Sequence, residues 1–169
     1  MAWSVLPANT THAWRREWLR LWRRLRPAIP PGWTVIVWAE RGWYAPWLLR
    51  RLTRLGWHPF FRINTGGSFR PTGAPCGRPL QTFAPQPGTT WRGTGVALTR
   101  HQVACTLLVR WEEGDKAPWL LLTDLPPAAS DATWSGLRAW IEQGCNITNR
   151  AGWQWHRTRM RAPDRAARL

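Results

Sequence analysis

The sequence contains few acids, a single lysine and no long apolar run. No stretch reaches the roughly 18 apolar residues that a membrane-spanning helix needs. The start, Met1-Ala-Trp-Ser-Val-Leu-Pro, also lacks the basic segment and the long apolar segment of a signal peptide. We therefore expect a cytoplasmic bacterial protein with no membrane partner.

Cysteine and histidine are scarce and scattered. Cys76, Cys105 and Cys145 are odd in number, lie far apart and form no C-x-x-C pair. This spacing supports neither a disulfide framework nor a zinc site. The four histidines are equally dispersed, so we expect them to be surface or packing residues.

Arginine is what the chain has in excess. Lysine and arginine total 24 against 9 acids, for a net charge of +15, and Lys116 is the only lysine. A field of this sign attracts polyanions, and the planar guanidinium grips phosphate at two points. Nucleic acid is the leading partner and an anionic membrane surface the second. A GC-rich gene is an alternative source of the arginine, because it would also explain the 16 tryptophans.

The most basic segment is predicted to be a helix. Residues 2–6 indicate the end of a strand, after which Thr10 or Thr11 can cap a helix that runs to Arg26. Prolines and a glycine at 27–32 end it. Arginines occupy much of this segment, and its apolar residues recur at helical spacing: Trp14, Trp18, Leu21, Trp22 and Leu25.

A strand, a helix and a strand follow. Thr34–Trp38 is uniformly apolar, as in a buried parallel strand, and it leads to Glu40 at its C-terminal end. Pro46 suits the first turn of a helix over 46–55, and Trp57–Ile63 reads as the next strand. This order predicts parallel neighbours in one sheet, joined by a right-handed crossover. Function in such sheets gathers at the carboxyl ends of the strands.

The remainder is predicted to be rich in loops and strands. Glycine, proline and threonine dominate 64–94, which indicates loops. A turn at Glu113-Gly114-Asp115 separates two of the three strands predicted here, which are Gly95–Arg100, Val103–Trp111 and Pro118–Asp124. The last helix, Asp131–Cys145, should place four apolar residues on one face: Trp134, Leu137, Ile141 and Cys145.

The nine acids can be weighed one by one. Most suggest local roles: solvated turn residues at Glu112, Glu113 and Asp115, an ion pair at Glu17, a helix cap at Asp131, a turn cap at Asp124 and a surface position at Asp164. Glu40 and Glu142 remain as candidates for chemistry. Glu142 lies four residues after Arg138, so spacing alone favours a structural ion pair between them.

Two stretches resemble the DDE transposases of bacterial insertion sequences, in particular the insertion-sequence-four-like group. The first is Trp38-Ala-Glu40-Arg41-Gly42-Trp43-Tyr44, similar to that family's second catalytic strand. The second, Leu137-Arg138-Ala139-Trp140-Ile141-Glu142-Gln143-Gly144, is similar to the segment with its last catalytic acid. Leu121–Pro126 and Gly152–Trp155 fit in the same order, so the resemblance covers nearly the whole chain.

The resemblance implies an α/β fold over 1–169: part of an RNase H-like catalytic domain, a mixed sheet with flanking helices. A β-rich insertion at 64–118 would precede the helix bearing the last acid. Glu40 would take the second Asp position and Glu142 the Glu position, both as Mg²⁺ ligands, with Arg138 as the motif arginine. The two carboxylates should then face each other across one cleft.

The partner implied is double-stranded DNA at transposon ends, with self-association as an open alternative and no small-molecule substrate. DNA phosphates would attract arginines of the first helix, of the Glu40 motif and of the C-terminal tail: Arg15, Arg16, Arg20, Arg23, Arg24, Arg41, Arg150, Arg157, Arg159 and Arg161. This partner would associate the protein with the nucleoid.

Departures from the family pattern argue against catalysis by this chain alone. The first catalytic Asp would belong to a strand upstream of residue 1. Glu40 is one methylene longer than the expected Asp. Ser135 replaces the signature Tyr and Asn149 the signature Lys, and Cys145 stands where Phe is expected. The alternatives are a non-catalytic basic DNA-binding remnant, a subunit completed by another segment, a membrane-surface Trp/Arg protein, and a pseudogene product without function.

Overall fold

The computed structural model describes residues 14–41, 45–98 and 101–147. The chain forms two compact units, 34–140 and a second made of 1–33 with 141–169. The predicted strand at 2–6 and the basic tail beyond Arg157 lie outside the described residues.

The predicted basic helix is present as α1, Trp14–Leu25, followed by a short 3-10 helix at Arg26–Ala28. Trp22 is buried, and its ring meets the ring of Trp18 edge-on at a centroid distance of 5.7 Å. The buried Trp22 and the half-buried Trp18 therefore lie on one side of α1, as the periodicity predicts for these two residues.

The 34–140 unit contains a seven-stranded mixed sheet. Its strands in chain order are β1 Ile36–Ala39, β2 His58–Arg62, β3 Ser68–Pro71, β4 Arg78–Pro79, β5 Thr90–Ala97, β6 Val103–Arg110 and β7 Trp119–Thr123. The order across the sheet is β1-β2-β7-β6-β5-β3-β4. Only β1 and β2 are parallel; every other neighbouring pair is antiparallel.

The predicted parallel order of strand, helix and strand is confirmed, but the prediction that the first strand is buried is wrong, because β1 lies at the edge of the sheet and only Ala39 in it is buried. β1 pairs in parallel with β2, with Trp38 opposite Phe60 and Ala39 opposite Phe61. Helix α2, Pro46–Arg54, connects them and begins at a proline as expected. The side of α2 that carries Leu48, Leu49 and Leu52 is buried. Two parallel strands thus end at the same edge of the sheet, and Glu40 follows the first of them.

The prediction of loops over 64–94 is wrong in part, because β3, β4 and the first half of β5 lie there. Five of the six glycines in 64–94 do lie in turns and loops, and these are Gly66, Gly67, Gly73, Gly77 and Gly88, whereas Gly93 is a residue of β5. A Cβ on Gly95 would lie 2.2 Å from the Arg70 carbonyl oxygen and 2.6 Å from the Phe69 ring. Glycine is therefore required at position 95, where β5 passes β3.

The later strands and their connection are confirmed, with small shifts of their ends. β6 and β7 pair along most of their length, from Thr106 opposite Thr123 to Arg110 opposite Trp119. The connection between them turns at Gly114, whose φ is +94°, in the left-handed region that glycine adopts without strain.

Apolar side chains pack on both faces of the sheet. One face holds the larger cluster, around Phe69, Phe83, Leu107 and Leu122. The other face holds Phe60, Leu108 and Leu121, covered by partly buried aromatic rings that include Trp38, Trp119 and Trp134. Because successive strand residues point to opposite faces, neighbours such as Leu107 and Leu108 enter different clusters.

The last predicted helix begins differently from the expectation. A 3-10 helix at Ala132–Gly136 precedes α3, Leu137–Asn146. Trp134 packs against the sheet, whereas Leu137 is 52% exposed, so the predicted apolar face is not continuous. The tighter 3-10 turn changes the angle per residue, and α-helical spacing counted from Asp131 no longer applies.

Candidate functional site

Glu40 lies at the carboxyl end of β1, where sequence analysis expects it. The parallel register pairs Ala39 with Phe61, so the next residues along the two strands are Glu40 and Arg62. The Glu40 side chain is 33% exposed and that of Arg62 is 15% exposed. The local geometry of two parallel strand ends therefore brings an acid and a base together in a half-buried position.

Both carboxylate oxygens of Glu40 have a partner among the side chains of β1 and β2. Nε1 of Trp38 donates a hydrogen bond to Oε1 at 3.3 Å. Nη1 of Arg62 lies 3.7 Å from Oε2, within ion-pair distance. The Arg62 guanidinium also sits over the Trp119 ring, 3.6 Å from its centroid, which is a cation–π contact.

Arg62 and Trp119 are not among the site residues predicted from the sequence. Arg41 follows Glu40 directly in sequence and would be its simplest partner. Arg41 is exposed, however, and Glu40 forms its ion pair with Arg62. A signal was present, because Arg62 falls near the end of the second predicted parallel strand, as Glu40 does in the first. Only the register of the two strands places them side by side.

The described residues do not fit the expected magnesium site. Mg²⁺ prefers an octahedral set of oxygen ligands, and the carboxylate of Glu40 is occupied by an arginine and an indole N–H. Across 14–41, 45–98 and 101–147, no group of three or more carboxylates, histidines or cysteines could hold a metal ion. The arrangement around Glu40 is that of a structural ion pair.

The second predicted acid, Glu142, is an exposed residue of α3. The side chain of Arg138 lies outside the described residues. Glu40 belongs to the 34–140 unit and Glu142 to the other, so the shared cleft between their carboxylates stays a prediction.

The arginines predicted to bind DNA are exposed wherever the structure describes them. Arg15, Arg16, Arg20, Arg23 and Arg24 of α1 and Arg41 after β1 all face solvent. Glu17 forms the expected local ion pair, with Arg20 Nη1 at 2.7 Å from its Oε1. Arg150, Arg157, Arg159 and Arg161 lie outside the described residues.

Asp124 takes part in a polar pair that sequence analysis misses. Its Oδ1 lies 3.1 Å from Nδ1 of His58, at the opposite end of β2 from Arg62. The expected turn cap is made by its neighbour instead, since the Leu125 N–H donates to the Thr123 hydroxyl at 3.2 Å. The side chain of Asp124, which follows β7, therefore contacts the first residue of β2 and does not cap the turn after β7.

A cleft of about 550 Å³ lies where β5 and β6 meet residues 130–133. Arg92, Arg110 and Asp131 contribute its charged groups. Asp131 accepts a hydrogen bond from the Thr133 N–H at 2.7 Å, which confirms its role as a cap. This bond is the main cause of its lowered pKa, and the nearby charges of Arg110 and Arg92 act in the same direction.

Cys105 carries no reactive thiol. It lies on β6 in the larger apolar cluster, and burial raises its pKa to about 12. The thiol therefore stays protonated near neutral pH, and a protonated buried thiol is a poor nucleophile.

No protein-family profile, curated protein or solved structure matches this chain. Of the helices in the described ranges, none is long and apolar enough to cross a membrane.

Proposed function

We propose that this chain binds DNA, that it derives from a DDE transposase of bacterial insertion sequences, and that it does not catalyse transposition by itself. The observation that carries the proposal is α1. Five of its twelve residues are exposed arginines, while Trp22 is buried. A helix that presents five guanidiniums to solvent suits contacts to backbone phosphates.

The transposase origin is supported by the parallel unit β1–α2–β2, which puts Glu40 at a strand end. In this proposal β1, β2 and β7 belong to an RNase H-like sheet, and the antiparallel strands β3 to β6 are the insertion at 64–118. The insertion would extend the sheet beyond β7. Helix α3, with Glu142, then follows the insertion in the order the family expects.

The absence of catalysis follows from the chemistry around Glu40. Phosphoryl transfer in this family needs several carboxylates that hold two metal ions. The Glu40 carboxylate instead forms an ion pair with Arg62 and accepts a hydrogen bond from Trp38. If it bound a divalent cation, it would lose these contacts, and the cation would lie near the positive charge of Arg62. These contacts support the hypothesis that the chain has a basic binding surface but no complete metal site.

DNA binding is tested by fluorescence anisotropy with a labelled duplex at several salt concentrations. We expect log affinity to fall steeply with log salt, because arginines displace counterions from phosphates. Replacing Arg16, Arg23 and Arg24 with Gln should lower the magnitude of that slope by about 2 to 3. The variant with Lys at the same three positions keeps the charge and should retain most of the native salt slope. A DNA affinity that does not depend on salt would refute the proposal. Stronger binding to anionic vesicles than to DNA would also refute it and would favour a membrane-surface protein.

The proposed lack of catalysis is tested by incubating the chain with supercoiled DNA and Mg²⁺. We expect no nicked product, either from the native chain or from Glu40→Asp, which restores the family's shorter acid. Mg²⁺-dependent nicking that Glu142→Ala abolishes would show that the chain is an active enzyme. The Glu142→Gln variant separates loss of the carboxylate from loss of side-chain volume.

A further inference from the structure

Helix α2 presents a second arginine surface, on the sheet-bearing unit and separate in sequence from α1. Arg50, Arg51 and Arg54 are exposed, whereas Leu48, Leu49 and Leu52 are buried. At 3.6 residues per turn the three arginines span an arc of roughly 100° on the side away from the buried leucines. We call this set of three residues the α2 arginine surface.

The charge of the α2 arginine surface is not neutralised locally. The helix sequence, Pro-Trp-Leu-Leu-Arg-Arg-Leu-Thr-Arg, contains no acid. None of the three forms an ion pair with a carboxylate that the structure describes. Three positive charges therefore stand together on one short helix, and such a cluster attracts polyanions.

The surface is also held in place. The three buried leucines fix α2 on the 34–140 unit, and the helix begins at Pro46, whose φ is preset for a first turn. Nη2 of Arg50 donates to the His101 carbonyl oxygen at 3.2 Å, so one guanidinium is already oriented. A binding partner would meet charges whose positions require little further ordering.

We propose that the α2 arginine surface binds the phosphate backbone of a nucleic acid. Arg50 and Arg54 are one turn apart, so their side chains start about 5–6 Å from each other and can reach successive phosphates. The inference rests on the proposed DNA-binding function, and it adds a contact surface to α1. Phosphate contacts of this kind position a backbone without reading sequence.

A structural role explains part of the same pattern. Arg51 and Arg54 lie in the last turn of α2, where cations interact favourably with the helix dipole. That role predicts a change in helix stability and no change in the number of released counterions. Measuring both quantities on one variant therefore separates the two roles.

The test compares two double variants of the full chain that lose the same charge. Arg51→Gln with Arg54→Gln removes part of the α2 arginine surface. Arg70→Gln with Arg78→Gln removes two exposed arginines of β3 and β4 in the same unit. Duplex DNA affinity is measured from 0.05 to 0.3 M salt, and folding is checked by circular dichroism and thermal unfolding.

We expect the α2 variant to reduce the magnitude of the salt slope by about 2 and the affinity at 0.1 M salt by roughly tenfold or more. The β3–β4 control should change the slope by less than about 0.5, and Arg51→Lys with Arg54→Lys should keep the native slope. Equal slopes for the two Gln variants would overturn the inference while leaving DNA binding intact. If the native chain shows no salt-dependent DNA binding, the proposed function itself fails.

Discussion

The arginines of the two helices and those of the sheet differ in what they contact. On α1 and α2 they outnumber carboxylates, with Glu17 as the only acid in either helix. On the sheet, Arg62 pairs with Glu40 and Arg110 with Glu112, and Arg92 donates to the Pro127 carbonyl oxygen. The helix arginines thus face solvent, whereas Arg62 and Arg110 of the sheet are partly buried and paired with acids.

This difference shows that a net charge of +15 is not spread evenly over the surface. Two of the acids, Glu40 and Glu112, pair with sheet arginines whose guanidiniums are partly buried and need a counter-charge. The two helices together contain eight arginines and one acid, Glu17. Long-range attraction for a polyanion should therefore come from the helices, and stability from the sheet pairs.

The largest effect on stability is expected for Arg62→Ala. This change removes a guanidinium that contacts both Glu40 and Trp119, and it leaves a half-buried carboxylate with one less partner. We expect a loss of about 2 kcal/mol in the free energy of unfolding, less than for a fully buried pair because Glu40 is one third exposed. Urea denaturation measures it.

The control for Arg62 is Arg16→Ala on α1, an exposed arginine that should change stability by less than about 0.5 kcal/mol. DNA affinity should show the opposite order, with Arg16→Ala more harmful than Arg62→Ala. If both variants lose equal stability, the contrast between helix and sheet arginines is wrong.

A smaller effect is expected for Asp131→Ala beside Arg92 and Arg110. The side chain caps the 3-10 helix through the Thr133 N–H, so its loss should cost about 1 kcal/mol at neutral pH. The pKa of Asp131 is lower in the folded chain than the ordinary 3.8, so its ionised form stabilises the fold. That contribution is present above pH 3.8 and disappears as pH falls through the lower folded value.

Unfolding measured against pH should therefore show the native chain and Asp131→Ala converging at strongly acidic pH. Asp131→Asn is the matched control, because asparagine also caps well and carries no charge. It should be nearly as stable as the native chain at neutral pH and should lack the acidic decline due to this residue. A pH-independent gap between the native chain and Asp131→Ala would contradict the assignment.

Local rules predicted the elements whose determinants lie close together in sequence. The Trp and Leu spacing of α1, the proline that begins α2 and the Asp131 cap each act within a few residues. The parallel pairing of β1 and β2 was also predictable, because a short helix between two apolar strands leaves few other topologies. Glu17 with Arg20 belongs to the same local class.

The predictions that failed concern contacts between distant residues. Strands β3 and β4 form within 64–94, where loops were predicted, because they pair with each other and β3 pairs with the distant β5. Asp124 pairs with His58, 66 positions away, and leaves the expected turn cap to Thr123. The predicted cleft between Glu40 and Glu142 would be another distant contact, and it stays a prediction.

Sequence alone determined the excess of arginine, the tryptophan side of α1 and the position of Glu40 after an apolar strand. Each depends on residue counts or on the period of one element. Tertiary structure decided which charge each arginine meets. Glu40 meets Arg62 rather than Arg41 because parallel register aligns two strand ends 22 positions apart (62 − 40), and Arg62 then lies over Trp119 of β7. Such pairs arise only when strands assemble, since neither strand alone contains both partners.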